Sequence, residues 1–163
     1  GKKQPRPLGS ASELGDFSSD GRKLSFLGSA GGFMIYDLEK NERRAVFSDS
    51  AHANSYIVRL KLLEKNAWLM QSMFIADRKP GSEVTYNDGR SVARLYRSDG
   101  AHDITGLSAS PNSQYAAVEV APQQGSSFDN YPVNGRNMST RTALIGQNGT
   151  IVRTIDGCGV VWK

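Results

Sequence analysis

Gly106-Leu-Ser-Ala-Ser110 is the run that comes nearest to a catalytic nucleophile motif. A nucleophile elbow needs glycine at its last position and a strand that turns into a helix, so that the serine hydroxyl stands exposed at the bend. Here the fifth residue is Ser110 and a Pro-Asn-Ser turn follows, so Ser108 reads as an ordinary strand residue. His52 and His102 are the two histidines, and neither has a cysteine or acid at ligand spacing. A protein-held metal normally takes three or four such ligands. Asn87-Asp88-Gly89 carries too few oxygens for a calcium loop. No pair of carboxylates stands out as placed for glycoside cleavage. Cys158 is alone, so it has no internal disulfide partner and reads as a buried, inert thiol. These residues point to no catalytic centre, no cofactor and no metal.

Recognition chemistry is better represented. Two polar stretches, 77–91 and 122–140, read as long insertions between strands. The first offers Arg78, Lys79 and Tyr86; the second offers Phe128, Tyr131 and Arg136. Aromatic rings and arginines dominate interaction hot spots, and long loops on a rigid scaffold usually carry function. Solvated loops with no partner would show the same composition. The expected partner is a protein or a small ligand. Nucleic acid is not expected: Lys2, Lys3 and Arg6 supply three of the net +4 charges, and the rest of the basic residues alternate with acids. No apolar run is long enough to span a bilayer.

The elements that must position these residues are short strands. In Phe17-Ser-Ser-Asp-Gly-Arg-Lys-Leu-Ser-Phe26, two β-type runs flank an Asp20-Gly21 turn, a strong hairpin signal. Ala109-Ser-Pro-Asn-Ser-Gln-Tyr-Ala-Ala-Val118 repeats the pattern with Asn112 at the Asp20 position. Leu63-Glu-Lys-Asn-Ala-Trp-Leu-Met70 repeats it in degenerate form with Asn66. Positions 20, 66 and 112 are 46 apart, and a period in the forties with several strands per repeat marks a propeller blade. The expected architecture is therefore all-β, with four-stranded antiparallel blades at about 12–49, 56–106 and 107–156 and a further blade begun at 160. Residues 1–11 read as a disordered basic tail. In this reading the second blade takes Trp68–Ala76, Val92–Tyr96 and a short Asp103–Gly106 as its last three strands. The turns at Tyr96–Gly100 and Ile145–Gly149 are then equivalent.

The pattern resembles the TolB-like and related propellers of bacterial envelope and peptidase-associated proteins. The resemblance rests on Phe17–Phe26, on Leu95-Tyr-Arg-Ser-Asp-Gly100 with Ile104-Thr-Gly106, on Ser110-Pro-Asn112 and on Val161-Trp162. It implies a non-catalytic recognition module of a larger envelope-associated or secreted protein, binding on the long-loop face. The alternative it leaves open is the gating propeller of a prolyl-oligopeptidase-like hydrolase. About three blades is fewer than the four to eight with which propellers close. The expectation is a piece of a longer protein, or closure by missing blades or a second copy. Phe33, Ile35 and Val160–Trp162 would then line the open flanks.

Overall fold

A computed structural model describes residues 11–28, 32–47, 54–122 and 140–162. Among these residues the chain is all-β, in three four-stranded antiparallel sheets. The first holds β1 (Ala11–Phe17), β2 (Lys23–Gly28), β3 (Phe33–Asp37) and β4 (Glu42–Val46). The second holds β5 (Tyr56–Leu62), β6 (Trp68–Ala76), β7 (Lys79–Asn87) and β8 (Val92–Arg97). The third holds β9 (His102–Ala109), β10 (Tyr115–Pro122), β11 (Arg141–Gly146) and β12 (Ile151–Asp156). Each sheet pairs its strands in chain order. The first strands lie side by side, β5 against β1 and β9, as the inner strands of propeller blades do. The proposed tail at 1–11 falls, except for Ala11 in β1, outside the described residues.

Strand alternation divides the second sheet between two cores. Leu60, Leu62, Trp68 and Met70 pack with Ile35 and Val46 of the first sheet. Leu69, Val84 and Leu95 pack with Ile104, Leu107, Val118, Val120 and Ile145 of the third. A buried polar chain fixes the sheets further: Arg59 donates to Gln71, whose amide donates to the Ile104 carbonyl (3.1 Å) and to Ser82 Oγ (3.2 Å). Every member is partnered, which such a network requires if it is not to destabilise the interior.

Several expectations need correction. The stretch 77–91 is not an insertion. Asp77 and Arg78, both at positive φ (51° and 61°), form a tight hairpin, and 79–87 is strand β7, paired along its length with β6. Pro80 and Gly81 disguise it. Pro80 stands next to the hairpin at the strand's start, where proline is tolerated. Gly81 is required because a Cβ there would lie 2.5 Å from the Phe74 ring. With β7 counted, β8 is the fourth strand, and 103–106 belongs to β9 of the third sheet. The second blade thus ends at Arg97, not 106. The third-to-fourth-strand turn equivalent to 147–150 is then Asp88–Ser91, and each contains a glycine at positive φ, Gly89 (83°) and Gly149 (81°). Tyr96–Gly100 instead carries the chain from one sheet to the next.

The flanks also differ from expectation. Ile35 is buried and Phe33 half-buried against the second sheet, so neither lines an open flank. Leu24, Phe26 and Tyr36, on the opposite face of the first sheet by alternation, are buried too. Among the described residues after β12, 157–162, no strand occurs. Residues 157–162 run back to the third sheet, where Gly159 N–H donates to Glu119 (2.7 Å) and Trp162 Nε1–H donates to Ser108 Oγ (3.1 Å). Gly106 makes room for the Glu119 side chain, since a Cβ there would meet Oε2 at 2.4 Å. Cys158 in this segment is exposed, not buried.

Candidate functional site

The turns joining strands one to two and three to four emerge at one end of every sheet. Between the first and second sheets, that end opens into a cleft of about 500 Å³. One wall is a row across the first sheet, Lys23 opposite Asp37 opposite Glu42, with Ile35 and Arg44 in the next row inward. Farther in, the row becomes Leu27, Phe33 and Val46. Charge thus gives way to apolar packing along a single sheet face. Lys40 and Arg43 add to the rim from the β3–β4 hairpin and its edge strand. The opposite wall is Lys65 and Asn66 from the β5–β6 turn with Asp88, Gly89 and Arg90 from the β7–β8 turn.

Six cations therefore face three carboxylates. Two of those carboxylates are already committed to their own turns. Asp37 accepts from the amides of Lys40 (3.0 Å) and Glu39 (3.1 Å), which hold its pKa below the ordinary value. Asp88 accepts from the amides of Ser91 (2.7 Å) and Arg90 (2.8 Å), with the same result. Among the described residues, none of the six cations is in an ion pair. Arg44 instead lies over the Trp68 ring, its guanidinium carbon 4.8 Å from the centroid. Trp68 is buried on the inner side of the same turns, and its indole N–H has no acceptor among the described residues. Thr85 Oγ1, on the same sheet face, is likewise buried without a partner.

Of the residues singled out from sequence, the three that are described do not come together. Arg78 sits exposed at a hairpin tip and Lys79 begins β7 beside it. Tyr86 lies seven residues farther along the strand, roughly 23 Å away at about 3.3 Å per residue. It points to the other sheet face and packs against the core shared with the third sheet. Burial, then the Asp88 charge, pushes its phenol pKa up. Phe128, Tyr131 and Arg136, with 123–139 as a whole, lie outside the described residues. His102 is partnered by Asp99, whose pKa the imidazole and the Ala101 amide lower. Among the described residues no cluster of three metal-ligating side chains occurs. The cleft cations were missed because they come from three separate short turns, the outer strand β4 and the start of β2. Only the correct β7 pairing puts Arg90 next to Lys65.

No protein-family profile matches the chain, and no curated protein does. Among solved structures it is similar to the crystal structure of an oligogalacturonate lyase from Vibrio parahaemolyticus, at a TM-score of 0.52 and 13% identity. The match covers 91% of this chain and 42% of that one. That protein has a propeller fold, and the likeness extends to fold. The chain spans well under half of its length.

Proposed function

We propose that the chain is a non-catalytic recognition module of β-propeller type. It belongs to a larger propeller protein of the cell envelope or the secreted fraction, and it holds a small ligand in the cleft between its first two blades. The single observation that carries this reading is the cleft itself: about 500 Å³ between two sheets that share a packed core. Ligand pockets run to about 300–1,000 Å³ and are usually pre-formed, as rigid walls ensure. The long-loop reading has lost half of its basis, because 79–87 is strand. The turn-end cleft supplies what that reading lacked, converging side chains on fixed elements.

The test is hydrogen exchange on the intact chain during a screen of small charged and neutral compounds. A ligand of the cleft slows exchange at 64–67 and 88–91 together, and it is recovered chemically unchanged. Protection confined to the β9–β10 turn, or a bound compound returned altered, would sink the proposal.

A further inference from the structure

We infer that the cleft between the first and second sheets is an oxyanion site, taking a small ligand with two or more carboxylate or phosphate groups. The inference rests on the recognition reading above and names its ligand class. Two independent observations converge on it.

The first is the charge balance. Cations outnumber carboxylates, and the oxygens of Asp37 and Asp88 are turned to their own backbone amides. Asp37 and Asp88 stay ionised and act on Lys23 and Arg90, but six cations against three carboxylates leave the cleft with an excess of positive charge. Unpaired cations between low-dielectric walls concentrate field in the gap and raise the local concentration of anions.

The second is Arg44. A guanidinium held over an indole loses rotamer freedom, and it retains five N–H donors in a planar fork. That is the pre-organised fork suited to bidentate recognition of a carboxylate or phosphate. No side-chain acceptor among the described residues takes it. Arg97 stacks on Phe74 in a comparable way, 5.0 Å from the centroid, but does not line this cleft.

Two groups follow from the spread of cations. Arg44 stands one row inside the sheet, whereas Lys65 and Arg90 stand on the opposite rim. A single small anion cannot be shared among them all, but two oxyanions on one scaffold can.

The experiment titrates citrate and, separately, pyrophosphate into the 163-residue chain, following backbone amides by NMR. Ionic strength is held at about 0.15 M, where exposed charges beyond roughly 8 Å are screened. A saturable shift at Lys65, Asn66, Gly89 and Arg90 is expected with at least one probe. Arg44→Ala should weaken it at least tenfold and Arg44→Lys should restore only part, since an ammonium lacks the planar fork. Arg141→Ala, on the third sheet, should leave it unchanged. Whichever probe binds more tightly identifies carboxylate or phosphate as the source. Shifts that rise linearly without saturating, or an Arg44→Ala protein that titrates like the parent, would overturn the inference. A neutral compound that saturates the same amides while both anions fail removes the oxyanion site but spares the recognition module. Failure of neutral and anionic compounds alike removes both. Each variant is first checked for an unchanged amide spectrum, so lost binding is not mistaken for lost folding.

Discussion

The hairpins that join the first two strands of each sheet fall at the same spacing but are not held the same way. In the first sheet, Ser18 Oγ donates to Asp20 Oδ1 (2.7 Å) and accepts from the Lys23 amide (2.9 Å), while Asp20 accepts from the Arg22 amide (3.0 Å). The third sheet copies this: Ser110 Oγ to Asn112 Oδ1 (2.7 Å), the Tyr115 amide to Ser110 Oγ (3.0 Å), and the Gln114 amide to Asn112 (3.2 Å). Gly21 and Ser113 take the positive φ, at 68° and 59°. The middle hairpin has none of these side-chain bonds. Leu63 stands in place of the serine and is buried in the core, and Lys65 and Asn66 both take positive φ, at 55° and 66°. Two successive left-handed residues are the pattern of a type I′ turn. One scaffold position is thus held by polar self-capping at the outer blades and by hydrophobic burial at the middle one. The difference follows from surroundings, because the second sheet has a neighbour on each face. It also frees Lys65 to face the cleft.

The sharpest way to break this comparison is to truncate the residue that distinguishes the middle hairpin. Leu63→Ala removes a side chain buried in the core between second and third sheets. It should cost about 2–5 kcal/mol in urea denaturation. Ser110→Ala or Ser18→Ala should cost less, about 0.5–1.5 kcal/mol, the net worth of a turn hydrogen bond at a part-buried position. If either serine variant proves the more damaging, the middle turn is not the one held by packing.

A smaller effect separates the asparagines. Asn66→Gly should be nearly neutral, because glycine takes positive φ without steric cost. Asn66→Val should lose roughly 1–2 kcal/mol, the cost of a left-handed conformation for an ordinary side chain. Asn112→Gly should instead destabilise, because Asn112 serves as a hydrogen-bond acceptor and is not at positive φ. Equal shifts in the thermal-melt midpoints of Asn66→Gly and Asn112→Gly would mean that the two asparagines do the same work.

These hairpins also show what was legible in the sequence. Turn chemistry and the 46-residue spacing announced sheets and strand class, because Asp-Gly and Ser-Pro-Asn-Ser act through bonds within a few residues. Strand β7 was not legible. Its Pro80, Gly81 and Ser82 look like loop, and their fitness for a strand lies in the Phe74 ring and the Ser98 hydroxyl, sixteen residues away. The site suffered for the same reason. Losing β7 shifted every later strand by one place and made a loop of Arg78, Lys79 and Tyr86. Lys65, Arg90 and Arg44 became neighbours only when two sheets packed, and no spacing in the chain encodes that packing directly.

The smallest expected effect distinguishes the two outer hairpins from each other, since one is built on a titratable acceptor and the other is not. The Ser18 hydroxyl, then the Arg22 amide, hold the Asp20 carboxyl below its ordinary value. A carboxyl whose folded pKa is depressed contributes stability that is present above the unfolded value, near 3.9. That contribution fades as the pH falls through the lower, folded value. Asn112 offers the same geometry with nothing to protonate. The bulk acid transition cannot isolate this difference, because Asp37, Asp88 and Asp99 are depressed by their own turns as well. Amide resonances can. Between pH 5 and pH 2 the Arg22 amide should move with a midpoint below about 3.9, while the Gln114 amide stays flat. Asp20→Asn should flatten the Arg22 response and leave the hairpin's other shifts in place. A midpoint at or above the ordinary aspartate value would mean that Ser18 and Arg22 do not hold the ionised carboxylate, and the first hairpin would then depend on its backbone and Gly21 alone.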